Sequence, residues 1–416
     1  MDKYYNRYLE KKILKCAESF PVILLTGARQ VGKTTLLHYL FGERFPFYTF
    51  DPVTDIHHIR EDPYLFLKQF DGPVIFDEIQ YAPELLPAIK VIVDQKREKG
   101  LYFLTGSQDF SLLKNVSESL AGRTVVISLR AMSLAERIGH ASGNWIERLI
   151  NNPKEPLPAA LKGYTSANKG KNVFRTLWRG GMPGILELED DLLPDFFRSY
   201  IQTYIERDIR QLADISSLQT FSRFLGICAA QTAQEINMSQ FGREISVTPQ
   251  TASRWIDLLA GTFLWVNIPP YSGNVIKKVS KKPKGYISDT GLACYFSYIS
   301  SSEALFSHPL RGHIFETHVV MDLLAQISMI SLQPALYYWR SRNGAEVDLI
   351  MERDGFFWLF EIKSGTNITK KYCSGFNAFK KTYPQLNIAG EYIIAPVAEI
   401  SRLTESCWIV PYDLVC

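Results

Sequence analysis

Gly27-Ala28-Arg29-Gln30-Val31-Gly32-Lys33-Thr34 has the spacing G-x-x-x-x-G-K-[ST]. Glycines at these positions let a backbone wind its N–H groups around phosphate oxygens. The lysine brings a positive charge to the β- and γ-phosphates, and the hydroxyl that follows it ligates Mg²⁺. The pattern therefore predicts an ATP site made by Gly27, Ala28, Arg29, Gln30, Val31, Gly32, Lys33, Thr34 and Thr35, with Lys33 serving catalysis as well and Thr34 the metal. Downstream, Val74-Ile75-Phe76-Asp77-Glu78 is an apolar run ending in two carboxylates. Asp77 is expected to support the metal, and Glu78 to polarise an attacking water. A further apolar run, Leu101 to Thr105, ends in Gly106-Ser107-Gln108. Ser107 there suits sensing of the γ-phosphate or orienting of the water, the plain alternative being an ordinary Gly-Ser turn. Arg123, in Leu120-Ala121-Gly122-Arg123-Thr124, is a candidate arginine finger or phosphate sensor, in its own subunit or a neighbour's; otherwise it is a surface arginine.

A second set of charged residues lies near the C-terminus. Glu346 to Met351 and Phe357 to Lys363 read as strands, with Asp354-Gly355 between them as a two-residue hairpin turn. That turn sets opposite Asp348 and Glu361, and opposite Glu346 and Lys363. Val347, Leu349, Met351, Trp358, Phe360 and Ile362 form an apolar face; Asp348, Glu361 and Lys363 fall on the other. Like charges directly opposed are unfavourable in a plain sheet. A divalent cation between Asp348 and Glu361 would remove that penalty and activate a water for phosphodiester attack, with Lys363 stabilising the developing charge. The alternative keeps the fold without cleavage, the carboxylates partly solvated and Glu346–Lys363 a cross-strand ion pair. The histidines His57, His58, His308, His313 and His318 lack the spacing of a metal site and read as structural or surface residues.

Between these sets, Met238 to Ile245 and Pro249 to Ala260 read as two helices joined by Ser246-Val247-Thr248, with Phe263 to Ile268 as a wing strand. This is the geometry that places a second helix in a DNA major groove, with Gln250, Ser253 and Arg254 as readers. It also serves as a packing module in proteins that never touch DNA. Lys277, Lys278, Lys281, Lys282 and Lys284 could neutralise phosphates or form a solvated loop.

The elements that must position these groups follow from composition and pattern. At 416 residues the chain exceeds one compact core, and two or three domains are expected. Its 46% hydrophobic and 21% charged residues exclude a disordered or low-complexity chain, and a net charge of +3 confines any nucleic-acid contact to local patches. No apolar run reaches the length of a membrane span, so no membrane partner is expected. The six scattered cysteines suit reduced thiols in the cytoplasm. Strands alternating with helices over residues 20–130 predict a parallel sheet covered on both faces.

The order of phosphate loop, Asp-Glu strand, polar strand end and arginine resembles the AAA+ ATPases. The chain as a whole resembles prokaryotic ATP-binding proteins in which an AAA domain precedes a DUF4143 domain. The carrying strings are Gly27 to Thr35, Phe76-Asp77-Glu78-Ile79-Gln80, Gly106-Ser107, Leu120-Ala121-Gly122-Arg123, Arg179-Gly180-Gly181-Met182-Pro183, Tyr204-Ile205-Glu206-Arg207-Asp208, Ser288-Asp289-Thr290-Gly291-Leu292 and Trp339 to Asp348. The Asp, then Glu-x-Lys, arrangement resembles the PD-(D/E)XK nuclease pattern, in which a preceding helix supplies another acid. Glu316 fits that place, making Glu316, Asp348 and Glu361 a second metal set; no proline precedes Asp348 and no extra base is evident. The expected fold is a multidomain α/β protein: a P-loop NTPase parallel sheet over residues 1–150, a linker over 151–172, a helical winged-helix-like domain over 173–275, and a C-terminal restriction-endonuclease-like α/β domain over 276–416. The expected function is a Mg²⁺-dependent ATPase acting on or regulated by DNA, with a metal-dependent nuclease-like C-terminal domain and with DNA and another copy of the chain as candidate partners. The alternative is a nucleotide-gated interaction protein that recognises a partner without cutting; a small-molecule kinase suits the Glu78 position less well.

Overall fold

A computed structural model of the chain describes residues 4–50, 57–107, 116, 118–141, 143–169, 171–204, 209, 218–273 and 282–416. The predicted contributions of Gln108, of Ile205 to Asp208 and of Lys277, Lys278 and Lys281 lie outside them. The chain divides into two compact units, Met1–Ala131 with Gly261–Phe263, and Met132–Ala260 with Leu264–Cys416.

The first unit is built on five parallel strands: β1 (Val22–Thr26), β2 (Phe47–Thr49), β3 (Val74–Asp77), β4 (Tyr102–Gly106) and β5 (Thr124–Ser128), in the order β2-β3-β4-β1-β5. Every residue of β1, β3 and β4 is buried, as strands covered on both faces require. Helix α1 (Lys33–Phe41) follows β1, and α2 (Leu85–Lys96) lies between β3 and β4. Because β1, β3 and β4 are adjacent and parallel, the phosphate-loop segment, Asp77 and Ser107 all emerge at one edge of the sheet, its C-terminal edge. That is where open parallel sheets bind ligands.

In the second unit, α3 (Val173–Arg179) ends at Gly180, whose φ of +82° suits glycine. A side chain there would meet Asp289 Oδ1 at 2.3 Å. Asp289 caps α6 (Thr290–Phe296) through Leu292 N at 3.1 Å and accepts Gly181 N at 2.7 Å. The Arg-Gly-Gly-Met-Pro and Ser-Asp-Thr-Gly-Leu strings thus meet in a packing joint.

The middle region has a winged-helix topology. A short strand β7 (Gln234–Glu235) precedes α4 (Met238–Glu244) and α5 (Pro249–Gly261), and β8 (Trp265–Ile268) and β9 (Lys284–Ile287) complete a sheet in the order β7-β9-β8. Thr248 caps α5 through Thr251 N at 3.1 Å. Ala252, Trp255, Ile256 and Leu259 are buried, while Gln250 and Arg254 are exposed and Ser253 is half-buried. Strand β9 therefore belongs to the winged-helix sheet, although residues 276 onward were expected in the last domain.

The C-terminal sheet contains β10 (Ala335–Arg340), β11 (Glu346–Arg353), β12 (Phe356–Ile362), β13 (Asn387–Ala395), β14 (Ser401–Arg402) and β15 (Cys407–Pro411), in the order β10-β11-β12-β13-β15-β14. It is mixed: β10, β11 and β12 are antiparallel, while β12, β13 and β15 are parallel. Helix α7 (Arg311–Met329) packs Ile314, Phe315 and Val319 on the face of Leu349, Trp358 and Phe360. Phe376 and Phe379 of α8 (Ser374–Thr382) cover the opposite face, with Ile350, Phe357 and Leu359. The stretch 151–172, expected as a linker, contains a helix, Leu157–Ala160, and a strand, β6 (Thr165–Ser166), paired with β16 (Leu414–Val415). Ser166 Oγ and Asn168 N donate to Asp413, each at 2.7 Å. A partner strand nearly 250 residues away leaves no mark on local composition.

Candidate functional site

The turn between β1 and α1 needs its glycines. Gly27 has φ +149°, and a Cβ on it would meet Leu129 O at 2.1 Å; Gly32 has φ +91°. Gln30, not a glycine, also adopts a left-handed φ of 59°. Lys33 is 5% exposed, and its ammonium donates to Gly27 O at 2.9 Å and Ala28 O at 2.8 Å, lying beneath the loop. Thr34 and Thr35 are exposed in the first turn of α1, where backbone N–H groups and the helix dipole favour phosphate. Ala28 and Val31 are buried, and Arg29 Nη2 donates to Tyr81 Oη at 3.2 Å. Arg7 has no motif to announce it. Its buried guanidinium donates to Val31 O at 2.7 Å and Arg130 O at 2.8 Å, tying the loop to the chain that leaves β5.

The acidic strand end meets this loop. Thr34 Oγ1 donates to Asp77 Oδ1 at 2.9 Å, and Thr105 Oγ1 donates to the same oxygen at 2.5 Å. Burial raises the Asp77 carboxyl above its ordinary value, against the pull of the two hydroxyls and of Lys33. A hydroxyl and a carboxylate side by side are hard oxygen donors of the kind Mg²⁺ takes, so these residues fit the metal. Glu78 N donates to Thr105 Oγ1 at 3.0 Å, and Glu78 adopts a left-handed φ of 57° that turns the chain sharply after β3. Its carboxylate accepts from Gln80 Nε2 and, at 3.3 Å, from Ser107 Oγ. Ser107 therefore holds Glu78.

Arg123 does not join them. It precedes β5, and its carbonyl accepts from Val22 N at the N-terminal end of β1. The phosphate loop leaves the other end, roughly 13 Å away at about 3.3 Å per residue. The Arg123 guanidinium pairs with Asp94 of α2, Nε to Oδ1 at 2.6 Å and Nη2 to Oδ2 at 2.8 Å. Within the chain, the Arg123 side chain is thus engaged at the sheet edge opposite the phosphate loop.

In the C-terminal sheet, Asp354 and Gly355 have φ of 54° and 77°, as a type I′ turn requires, and Leu349 faces Phe360 in the expected register. The ladder stops there because Asp348 Oδ2 takes the Ile362 N–H at 2.8 Å. A register shift against β10 moves Val347 out of the expected apolar face and into the cluster of Ile350 and Phe357.

Glu316, Glu346, Asp348, Glu361 and Lys363 do come together, around a residue not anticipated there. Lys284 of β9, only 4% exposed, places Nζ 2.7 Å from Glu316 Oε1, 2.9 Å from Glu346 Oε1 and 3.5 Å from Asp348 Oδ1. Tyr286 Oη donates to Glu316 Oε1 at 2.8 Å. Lys363 pairs with Glu361 at 2.6 Å and Asp348 at 3.4 Å, so the expected Glu346–Lys363 pair is replaced by Glu346–Lys284. Burial, then Asp348 beside it, pushes the Glu361 carboxyl up to about 8. Against burial, Lys284 and Lys363 hold Asp348 below its ordinary value. Burial pushes Glu316 up to about 7, and the surrounding acids, despite burial, keep Lys284 charged. Among the described residues no group of three or more His, Cys, Asp or Glu is disposed to hold a metal ion. As it stands, the arrangement does not fit the divalent cation that the nuclease pattern implies, because an ammonium lies between the acids.

Residues 19–138 match the AAA domain family; residues 170–303 match a domain of unknown function, DUF8612, and residues 311–415 another, DUF4143. An uncharacterised protein of Mycobacterium tuberculosis is 30% identical over 400 residues, 95% of this chain and 81% of its own length. An uncharacterised protein of Mycobacterium bovis matches to the same extent. Among solved structures, the Walker-type ATPase paby2304 of Pyrococcus abyssi is 14% identical with a TM-score of 0.44, covering 70% of this chain and 96% of that one. The Holliday junction branch migration motor RuvB of Thermotoga maritima is 16% identical with a TM-score of 0.33, covering 68% of this chain and 97% of that one. No helix among the described residues is long and apolar enough to cross a membrane.

Proposed function

Since the chain belongs to the family that joins an AAA domain to a DUF4143 domain, a family it shares with its mycobacterial relatives, we propose that it is a Mg²⁺-dependent ATPase acting on, or regulated by, DNA. The observation that carries this reading is the hydrogen-bonded chain Thr34–Asp77–Thr105–Glu78 at the mouth of the phosphate loop. Bound ATP with Mg²⁺ supplies the electrophilic γ-phosphorus and the charge that polarises it. Lys33 and the α1 N-terminus would hold the phosphates, while Thr34 and Asp77 would hold the metal. Glu78, aimed by Ser107 and Gln80, orients the attacking water and takes its proton.

For the remainder of the chain this reading assigns recognition. The exposure of Gln250 and Arg254 on α5, the second helix of the pair, supports DNA as partner. For the C-terminal domain the Lys284 contacts favour recognition without cutting over metal-dependent cleavage. Supercoiled plasmid incubated with Mg²⁺ or Mn²⁺ should remain intact with wild type and with Asp348→Ala alike. Metal-dependent nicking by wild type that Asp348→Ala abolishes would restore the nuclease reading. Phosphate release measured with and without duplex DNA checks the coupling; a rate that DNA leaves unchanged at saturating DNA contradicts it.

A further inference from the structure

Lys284 is the member of the C-terminal cluster that a nuclease-like pattern does not ask for. It comes from the winged-helix sheet, while the acids come from α7, β11 and β12. An ammonium has three N–H donors. Here three carboxylates, Glu316, Glu346 and Asp348, surround it. A divalent cation would draw the same oxygens to about 2.0–2.6 Å. An Nζ 2.7 Å from Glu316 and 3.5 Å from Asp348 fills the space between them, so lysine and metal exclude each other. The strand carrying the lysine is secured at its start, where Tyr338 Oη donates to Lys282 O at 2.5 Å. The cluster also keeps an acceptor that neither lysine satisfies: Glu361 Oε2 is buried and has no hydrogen-bond partner among the described residues.

We propose that Lys284 is a built-in counter-ion filling the space that a divalent cation would need among the C-terminal carboxylates, so that the site as built excludes such a cation. The proposal rests on the reading of Asp348 and Glu361 as a cation site.

The test is Mn²⁺ alone, titrated into nucleotide-free full-length protein and followed by calorimetry and by the electron paramagnetic resonance of free Mn²⁺. Wild type should show no site that responds to Asp348→Asn. Lys284→Met, which keeps most of the side-chain length and removes the charge, should gain about one Mn²⁺ per chain, bound at least about tenfold more tightly than by wild type. Adding Asp348→Asn to that variant should abolish the gain. Equal binding by wild type and Lys284→Met, lost from both with Asp348→Asn, overturns the counter-ion role and keeps the cation site. Absence of binding from both removes the cation site and the proposal with it. Thermal melts cover the case of a poorly folding variant: Mn²⁺ should raise the melting temperature of Lys284→Met and leave wild type unchanged. A variant that stays unfolded in Mn²⁺ overturns the proposal.

Discussion

Thr34 and Asp77 lie 43 residues apart and share a hydrogen bond of 2.9 Å. One opens the helix after the phosphate loop, and the other closes a strand two places along the sheet. Parallel register through β4 brings both to the same edge, so the fold itself assembles hydroxyl and carboxylate. Such preorganisation lowers the cost of gathering ligands around a cation.

Thr105 links this pair to the water-positioning acid. Its hydroxyl donates to Asp77 Oδ1 and accepts from Glu78 N. Thr105→Val conserves shape but leaves the part-buried Glu78 N–H unpaired, at a cost of about 1–3 kcal/mol. Steady-state phosphate release should show kcat lowered roughly 10- to 100-fold with the KM for ATP nearly unchanged, as expected for an interaction that matters mainly in the transition state. A rise in KM with kcat intact would assign Thr105 to binding instead.

Arg123 pairs with Asp94 at the sheet edge remote from the loop. Arg123→Ala should leave the ATP affinity of the dilute chain within about twofold of wild type, since an exposed ion pair contributes little. Fluorescent-nucleotide titration measures this, and a large loss of affinity contradicts the placement. If copies of the chain assemble, Arg123 can still serve a neighbour; turnover of wild type, but not of the variant, should then rise with protein concentration.

His318 is buried in the second unit beside Tyr412, its ring centroid 5.9 Å from the phenol, and its Nε2 has no hydrogen-bond partner among the described residues. Burial, with Arg137 nearby, depresses its pKa to about 3. An unfolded histidine titrates near 6.5. Below that value the unfolded chain binds a proton that the folded chain refuses, so stability falls as pH drops from about 6.5 towards about 3. By pH 4 the loss from this group should reach roughly 2–4 kcal/mol. His318→Phe should lose less stability than wild type between pH 7 and 4 in urea melts. Identical pH slopes would mean that another group carries the acid sensitivity.

Contiguous strings were the legible part of this protein. The phosphate loop declares itself in eight residues because backbone winding demands glycine at Gly27 and Gly32. The Asp354-Gly355 turn fixes the β11–β12 register because a type I′ turn needs left-handed φ at both positions. Lys284 was not legible in its role, since it reaches Glu346 from 62 residues away and stood within a run that resembled a basic loop. The displacement of Val347 was hidden for a similar reason: it depends on the pairing of β11 with β10, not on the hairpin itself. The placement of Arg123 was hidden because it depends on the pairing of Thr124–Ser128 with β1; once β5 is known to run parallel to β1, a residue just before it must lie at the edge opposite the phosphate loop.

ATP turnover by Glu78→Gln, read beside its nucleotide affinity, tests the central claim most directly. Glutamine keeps the size of the side chain but cannot accept the water's proton. The variant should bind ATP with wild-type affinity and release phosphate about 10²–10⁴-fold more slowly, while Lys33→Ala should lose binding itself. Wild-type turnover in either variant would contradict the assignment of hydrolysis to this loop and strand.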